Sequence, residues 1–356
     1  MKKVLLVVLC VVMSVALLAA CSQPATQEPT TEATTEATTE TTEETTEATG
    51  EGFTIGYLGW DLSTDWNIST EAGLEWGAAQ KGCEIVKMDA ALDAEKQVDQ
   101  AEQLINQGVD AIVMFPITPD SGATVVKMAN DAGIPIVVEN TFLDDAAGDI
   151  VGQVACQYGD IGYAAIKWAA ENVEGAKLLY VHGGTGEGVY EAYQVGVDQA
   201  LEDYKDKIEC VGLINGEWTT EASYNVTMDY ISAGGAEFNV VFANNDAQAV
   251  GVYKALEENG LADIPVISTG GSNEGYDMLV AGQEAANMTA PANLQGIIAF
   301  GQLWAYMNGE DTFGGNVKIP LPVIPIDSNN KSEWLFWDDM EAGYDYVSTN
   351  VGEYTP

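Results

Sequence analysis

Short apolar runs alternate with amphipathic stretches along the body of the chain, and glycine often separates them. Between residues 98 and 105, apolar side chains recur at helical spacing, which predicts a helix over 93–107. Gly108 follows, in the position where glycine commonly closes a helix, and the apolar run 109–114 comes next. The same order of amphipathic stretch, glycine and apolar run returns at Gly82, Gly133 and Gly260.

A comparable series runs through the second half. Its strand-like runs lie at 177–181, 211–214, 238–243 and 265–268, and its helical stretches at about 187–203, 219–233 and 246–259. Continuous apolar runs are typical of parallel strands buried on both faces. Alternating strands and helices indicate βαβ units and open parallel sheets. Since the body is long enough for two domains of ordinary size, we predict an α/β fold with two lobes.

The N-terminus has the pattern of a secretory signal. Lys2 and Lys3 precede about 16 apolar residues, whereas a comfortable membrane span needs roughly 20. The run ends Leu18-Ala19-Ala20-Cys21, which resembles a bacterial lipobox. This resemblance implies a signal peptide over 1–20 and a lipidated Cys21 as the mature N-terminus. An ordinary secretory signal with a chance cysteine is the alternative, and both interpretations place the protein outside the cytoplasm.

The segment after Cys21 predicts a tether. Residues 22–51 are almost entirely Thr, Glu, Ala, Pro, Gln and Ser, with no large apolar side chain to bury. Such a segment cannot offset the entropy of ordering, and its like charges favour extension. We therefore predict a disordered linker over 21–52 between a membrane anchor and a globular body.

The charge of the chain limits the kinds of molecule that it can bind. The formal net charge is −42, and all 13 basic residues are lysines. A nucleic-acid partner is excluded because phosphate contacts need a basic face. Without arginine there is no bidentate fork for a phosphate or carboxylate, so a neutral or cationic ligand is favoured. Cys83, Cys156 and Cys210 lack any paired spacing, and we interpret them as buried small hydrophobes.

Catalytic signatures are absent from the sequence. His182 is the one histidine, and the glycine-rich turn after it lacks the lysine of a P-loop. A lone histidine does not build a usual metal site, and no G-x-S-x-G motif occurs. We predict that the protein is not an enzyme and that it needs no metal or cofactor.

Three stretches carry a resemblance to a known family. Residues 97–116, 127–135 and 241–246 resemble type I periplasmic sugar-binding proteins of the ribose-binding kind, and the resemblance extends over 53–326. It implies two Rossmann-like lobes with parallel sheets, joined by three hinge crossovers near Gln157, Ala290-Pro291 and 322–325. The implied domains are lobe 1 over 53–156 plus 292–322, lobe 2 over 157–291, and a hinge return with a C-terminal tail over 323–356.

The binding site is expected beyond the carboxyl ends of the strands, as in other open α/β sheets. Trp60 and Asp61 follow the first strand. The resemblance places Trp66 at a sugar-stacking position of the first lobe and matches Trp218 to the aromatic residue of the second. Two indoles from opposite lobes can sandwich a flat neutral ring. The alternative is that either tryptophan packs within its own lobe.

The resemblance also implies polar residues in the ligand-binding site. Asn140 and Tyr193 stand where the family has charged residues, Asn245 matches a ligand-binding asparagine, and Asn293 lies close to the position of the hinge glutamine. Asn245 could instead cap the helix that follows it. These departures weaken the case for ribose itself. The predicted ligand-binding residues are Trp60, Asp61, Trp66, Asn140, Tyr193, Trp218, Asn245 and Asn293.

The resemblance implies an extracellular receptor, anchored to the outer face of the cytoplasmic membrane through Cys21. It would act as a monomer and deliver a sugar or sugar-like molecule to an ABC permease by hinge closure. Carboxylates beside indoles also suit a cationic amine, and stacked indoles suit a nucleoside. A sensory co-receptor that signals to a membrane partner, or a structural surface protein without a ligand, are the other classes left open.

Overall fold

The computed structural model describes residues 52–186, 188–235, 237–309 and 316–351. The predicted signal peptide, Cys21 and the linker up to residue 51 lie outside these residues. None of the helices within the described ranges is both long enough and apolar enough for a membrane crossing.

Strands and helices alternate along the chain, as predicted. The first run comprises β1 (Thr54–Gly59), α1 (Asp65–Lys81), β2 (Glu84–Asp89), α2 (Ala94–Gln107), β3 (Ala111–Met114), α3 (Pro119–Ala132), β4 (Ile136–Asn140) and β5 (Gly152–Ala155). The second comprises α4 (Tyr158–Asn172), β6 (Ala176–His182), α5 (Val189–Asp203), β7 (Ile208–Asn215), α6 (Thr220–Ser232), β8 (Val240–Ala243), α7 (Asp246–Glu258), β9 (Val266–Gly270), α8 (Asn273–Ala281) and β10 (Ala286–Thr289). The last comprises α9 (Ala292–Met307), β11 (Val317–Pro320), β12 (Ile324–Asp327) and α10 (Met340–Asn350).

Two sheets form, one in each lobe. The first sheet has the strand order β11-β5-β4-β3-β1-β2, and all of its pairings are parallel. The second has the order β12-β10-β9-β8-β6-β7, with only β12 antiparallel to its neighbour. The predicted two-lobed α/β fold with parallel sheets is therefore confirmed.

The chain passes between the two sheets at three places before its last strand. These are the connections from β5 to α4, from β10 to α9 and from β11 to β12. Helix α9 packs on α1 of the first lobe, and α10 packs on α9. The C-terminal helix therefore lies on the first lobe, although the strand before it belongs to the second sheet.

Local sequence accounts for the helix ends and for close helix packing. Asp93 caps α2 by accepting hydrogen bonds from the backbone N–H groups two and three residues further along, and Gly108 closes the same helix at φ +77°. Helices α4 and α5 touch through glycine, since a Cβ on Gly196 would lie 1.7 Å from the carbonyl oxygen of Gly159. This spacing leaves no room for a larger residue at position 196.

The three cysteines of the body are free thiols in different environments. Cys156 is buried, Cys83 is half-buried and Cys210 is exposed. The interpretation of all three as buried hydrophobes is therefore wrong for Cys210. Its strand, β7, is at the edge of the second sheet, and most of that strand is not fully buried.

Candidate functional site

A cavity of about 380 Å³ lies between the lobes, where the carboxyl ends of the two parallel sheets meet. Its size falls within the range of small-molecule sites, roughly 300–1,000 Å³. Lobe 1 contributes Trp60, Trp66, Phe115 and Asn140, and lobe 2 contributes Tyr158, Tyr193, Trp218, Asn244, Asn245 and Thr269. The C-terminal segment adds Trp337.

Two of the eight predicted ligand-binding residues lie outside this lining. Asp61 turns back on its own loop, where its carboxylate accepts hydrogen bonds from the backbone and hydroxyl of Ser63. Asn293 is buried at the start of α9, and its Nδ2 donates to the carbonyl oxygens of Phe336 and Asp339 at 3.3 and 3.4 Å. The structure thus assigns Asp61 to a turn and Asn293 to the packing of the C-terminal segment. The remaining six, Trp60, Trp66, Asn140, Tyr193, Trp218 and Asn245, all line the cavity.

Aromatic rings form the wall that lobe 1 contributes. The ring of Trp60 stacks on Phe115 with 5.8 Å between centroids and 21° between planes. Trp66 meets Trp337 edge to face, with 5.4 Å between centroids. Offset-stacked and edge-to-face pairs are arrangements that aromatic rings favour, so the rings of this wall support one another.

The loop that carries Trp218 is held in a strained conformation. Glu217 and Trp218 have φ angles of +49° and +60°, a region that bulky residues rarely occupy. The indole of Trp218 lies over Gly183, where an added Cβ would be 2.1 Å from Cε2. Strain of this kind persists where the surroundings overdetermine it, and it is common at ligand sites.

Asn245 supports the Trp218 loop and caps a helix as well. Its Oδ1 accepts a hydrogen bond of 2.7 Å from the backbone N–H of Gln248, which is the capping role considered above. Its Nδ2 donates to the carbonyl oxygen of Trp218 at 3.1 Å. One amide thus holds both the N-terminus of α7 and the loop on which the indole stands.

Two hydrogen bonds and a ring contact between them line the hinge side of the cavity. Asn140, at φ +71°, accepts a hydrogen bond of 2.6 Å from the phenol of Tyr158, across the boundary between the lobes. The ring of Tyr158 lies 4.9 Å from that of Tyr193, whose hydroxyl is 2.8 Å from Oγ1 of Thr269. Burial raises the pKa of both tyrosines well above the usual value, so both phenols are neutral.

The charged groups that line the cavity are all carboxylates. They are Asp65, Asp246 and Glu274, and no lysine lines the described part of the cavity. Asp246 is buried, and three groups donate to its carboxylate: the hydroxyl of Ser268, the amide of Asn287 and the backbone N–H of Ser272. Burial raises the pKa of Asp246 despite these donors. An anionic ligand would meet only like charge here.

His182 is not a cavity residue. Its ring is buried, stacks on Tyr190 at 4.1 Å between centroids, and has Nδ1 2.7 Å from the carbonyl oxygen of Gly183. Burial lowers its pKa, which favours the neutral imidazole. Within the described residues, no cluster of histidine, cysteine, aspartate or glutamate is placed to hold a metal ion.

Several lining residues were not among those predicted. Phe115 and Asp246 follow strand ends, so the rule that placed Trp60 at the site could have found them. Tyr158 lies just after the first crossover, and no local sequence pattern indicated that it would contact Asn140. Trp337 lies in a tail far from any other lining residue in sequence, so only the fold could have placed it there.

The geometry and the comparisons with known proteins agree. Residues 55–311 match the family model described as a periplasmic binding protein domain, and the chain belongs to this family. The xylitol-binding protein of Mycolicibacterium smegmatis is 27% identical over 275 residues, which are 77% of each chain. The ribose import binding protein RbsB of Bacillus subtilis is 27% identical over 248 residues, which are 69% of this chain and 79% of that protein.

Solved structures share the fold. The binding protein of the arabinose ABC transporter from Shewanella sp. ANA-3, bound to arabinofuranose, has a TM-score of 0.72 at 22% identity. The match covers 83% of this chain and 97% of that one. A Bacillus halodurans solute-binding protein with bound myo-inositol also scores 0.72, at 24% identity, and the match covers 81% and 99% of the two chains. The predicted family and fold are thereby confirmed.

Proposed function

We propose that this protein is an extracellular solute-binding receptor that delivers a sugar or a sugar-like polyol to an ABC importer. The observation that carries this proposal is the cavity between the lobes, with indoles from both sides and no lysine in its described lining. Aromatic faces suit the C–H surface of a sugar ring, and the amides and hydroxyls at the rim suit its hydroxyl groups. The named ligands of the relatives, xylitol and ribose, belong to this chemical class.

Hinge closure is the mechanism that the arrangement supports. A ligand first binds one lobe of the open form and gains contacts with the other lobe when the cleft closes. The free energy of these additional contacts stabilises the closed form. The three connections between the sheets act as hinges, and closure creates the surface that an ABC permease would recognise. The receptor works as a monomer in this scheme. No reaction is assigned to the cavity, since the relatives that the chain matches are named as binding proteins.

A thermal-shift screen of the protein tests the ligand class. The panel contains xylitol, D-ribose, L-arabinose, myo-inositol, nucleosides and quaternary amines. A ligand at 100 times its Kd adds about 2.7 kcal/mol, which raises the melting temperature by several degrees. We expect sugars or polyols to produce the shift and Trp218→Ala to reduce it. If none of the sugars and polyols raises the melting temperature, the proposal is contradicted.

A cationic amine is the second candidate. Asp65, Asp246 and Glu274 line the cavity together with indoles, which is the composition of a cage for an ammonium group. The carboxylate of Asp246 already accepts three hydrogen bonds from the protein, which leaves it less able to pair with a cation. A shift with quaternary amines alone would favour this candidate over the sugar.

Membrane anchoring through Cys21 completes the proposal. A lipid on this residue would hold the globular body on the outer face of the cytoplasmic membrane, and 21–52 would serve as the tether. Cys21→Ala should release the protein from membranes into the medium, as measured by detergent partitioning and fractionation. Retention of the variant in the detergent phase would contradict the anchor.

A further inference from the structure

The C-terminal segment 328–351 crosses between the lobes a fourth time. It leaves β12 of the second sheet and ends in α10, which packs on α9 of the first lobe. The three hinge connections precede this segment. It therefore joins two bodies that the rest of the fold already connects.

The first half of the segment is attached to lobe 2. The indole of Trp334 is buried against Leu279 and Ile326, and its Nε1 donates to the carbonyl oxygen of Gly271 at 3.1 Å. Phe336 packs edge to face on Tyr276, with 4.8 Å between ring centroids. These side-chain contacts stay within lobe 2, whereas the carbonyl oxygen of Phe336 accepts a hydrogen bond of 3.3 Å from Asn293 of lobe 1.

The second half is attached to lobe 1. The hydroxyl of Ser69, on α1, donates to the carbonyl oxygen of Trp337 at 3.2 Å. Asn293, on α9, donates to the carbonyl oxygen of Asp339, and Tyr344 packs against Trp76 with 5.3 Å between centroids. The backbone from residue 337 onward is therefore attached to lobe 1, and the side chain of Asp338 also accepts a hydrogen bond of 3.2 Å from Nδ2 of Asn273 in lobe 2.

Trp337 is the residue at which the two attachments meet. Its backbone is held by lobe 1, and its ring packs on Trp66 of the same lobe, yet its Nε1 donates to the carbonyl oxygen of Gly270 in lobe 2 at 3.2 Å. A Cβ on Gly270 would lie 3.4 Å from Cζ2 of this indole, at ordinary van der Waals distance, so the indole packs directly beside this glycine. The same ring forms part of the cavity wall.

We propose that Trp337 determines ligand affinity by latching the two lobes closed around the cavity. Its indole hydrogen bond is made only while Gly270 and Trp66 face each other, so opening the cleft breaks it. Apparent affinity scales with the population of the binding-competent form, and a latch raises that population before ligand arrives. The proposal rests on the receptor function above for its ligand, but the latch itself is independent of which ligand binds.

Distances between spin labels measure the latch without any ligand. Glu95 and Glu221 are exposed near the starts of α2 and α6, one on each lobe. Labels on Glu95→Cys and Glu221→Cys, with Cys83→Ser and Cys210→Ser to remove the accessible thiols, report opening. We expect Trp337→Phe, which keeps a ring but loses the N–H donor, to add a population at longer distance.

Trp334→Phe is the matched control. It removes the same donor from the neighbouring position, yet its partner Gly271 lies in the lobe to which Trp334 is already attached. We expect this variant to lose thermal stability and keep the label distances of the parent protein. Unchanged distances in Trp337→Phe, or equal changes in both variants, would overturn the latch.

Ligand affinity supplies the second readout, measured by calorimetry with xylitol, D-ribose, L-arabinose and myo-inositol as probes. A net hydrogen bond corresponds to about a fivefold change in binding. We expect Trp337→Phe to weaken Kd about fivefold and Trp334→Phe to leave it within about twofold. Full affinity in Trp337→Phe would overturn its role. Absence of binding by the parent protein to all four probes would count against the sugar assignment, and the label distances would still decide the latch.

Discussion

Replacing Glu139 by glutamine should stabilise the protein at alkaline pH and have little effect near pH 5. Glu139 lies in β4, next to the cavity residue Asn140, and its side chain is fully buried. Its Oε1 accepts a hydrogen bond of 2.7 Å from the phenol of Tyr57, and its Oε2 is buried without a hydrogen-bond partner. Burial raises the pKa of this carboxyl group to about 8, the Tyr57 hydrogen bond opposes the rise, and the charge of Glu71 adds to it.

The sign and size of the effect follow from these pKa values. The folded protein binds the proton more tightly than the unfolded chain, so the resulting stabilisation is complete below about pH 4.5 and is lost as pH rises through 8. One pKa unit corresponds to about 1.4 kcal/mol, so the three units from pH 5 to pH 8 correspond to about 4 kcal/mol. Glutamine has nearly the same shape as glutamate and does not ionise. The stability of Glu139→Gln should therefore not fall between pH 5 and pH 8 for this reason.

Urea denaturation of both proteins between pH 5 and pH 9 provides the assay. The free energy of unfolding of Glu139→Gln minus that of the parent should grow with pH and level off above pH 8. Taking this difference cancels the contributions of Glu284 and Asp246, whose raised pKa values affect both proteins alike. Glu102→Gln, which changes an exposed residue of α2, is the control for the loss of one carboxylate. A flat difference for Glu139→Gln would refute the reasoning.

Two further substitutions test the close contacts in lobe 2. Gly183→Ala should weaken binding of whichever probe shifts the melting temperature, because its Cβ would displace the Trp218 indole. Calorimetry measures the Kd of this variant. Gly159→Ala is the control, since its Cβ would meet nothing nearer than 3.5 Å. Equal affinity in the two variants would contradict a role for the Trp218 position. Gly196→Ala should destabilise the protein by several kcal/mol, because its Cβ would lie 1.7 Å from a backbone oxygen of α4 and the two helices must separate. An unchanged midpoint in urea would show that α4 and α5 are not packed this closely.

Local patterns were sufficient for most elements before α9, but not for the C-terminal strands and helix. The predicted helix over 93–107 is α2, which begins at Ala94 and ends at Gln107, and the run 109–114 contains β3. Caps and apolar periodicity act within a few residues, so the sequence alone displays them. The order of those elements also predicted where the site lies, because parallel strands bring their carboxyl ends to one edge.

Side-chain direction was less predictable. Trp60 and Asp61 are adjacent after the same strand, yet only Trp60 lines the cavity, because Asp61 closes a turn with Ser63. Asn293 was expected to contact the ligand but is turned toward the backbone of the C-terminal segment. Competition among nearby hydrogen-bond partners decides such cases, and those partners are known only once the chain has folded.

The sequence by itself determined the alternation of strands and helices, the two-lobed α/β class and the acidic charge balance, because each depends on residue type, local spacing and chain length. Only the tertiary structure decided which side chains meet in the cavity. Trp66 and Trp337 are 271 positions apart in the printed numbering, yet their rings lie 5.4 Å from each other. A contact of this kind depends on how the last crossing returns the chain to lobe 1, and no local pattern encodes that path.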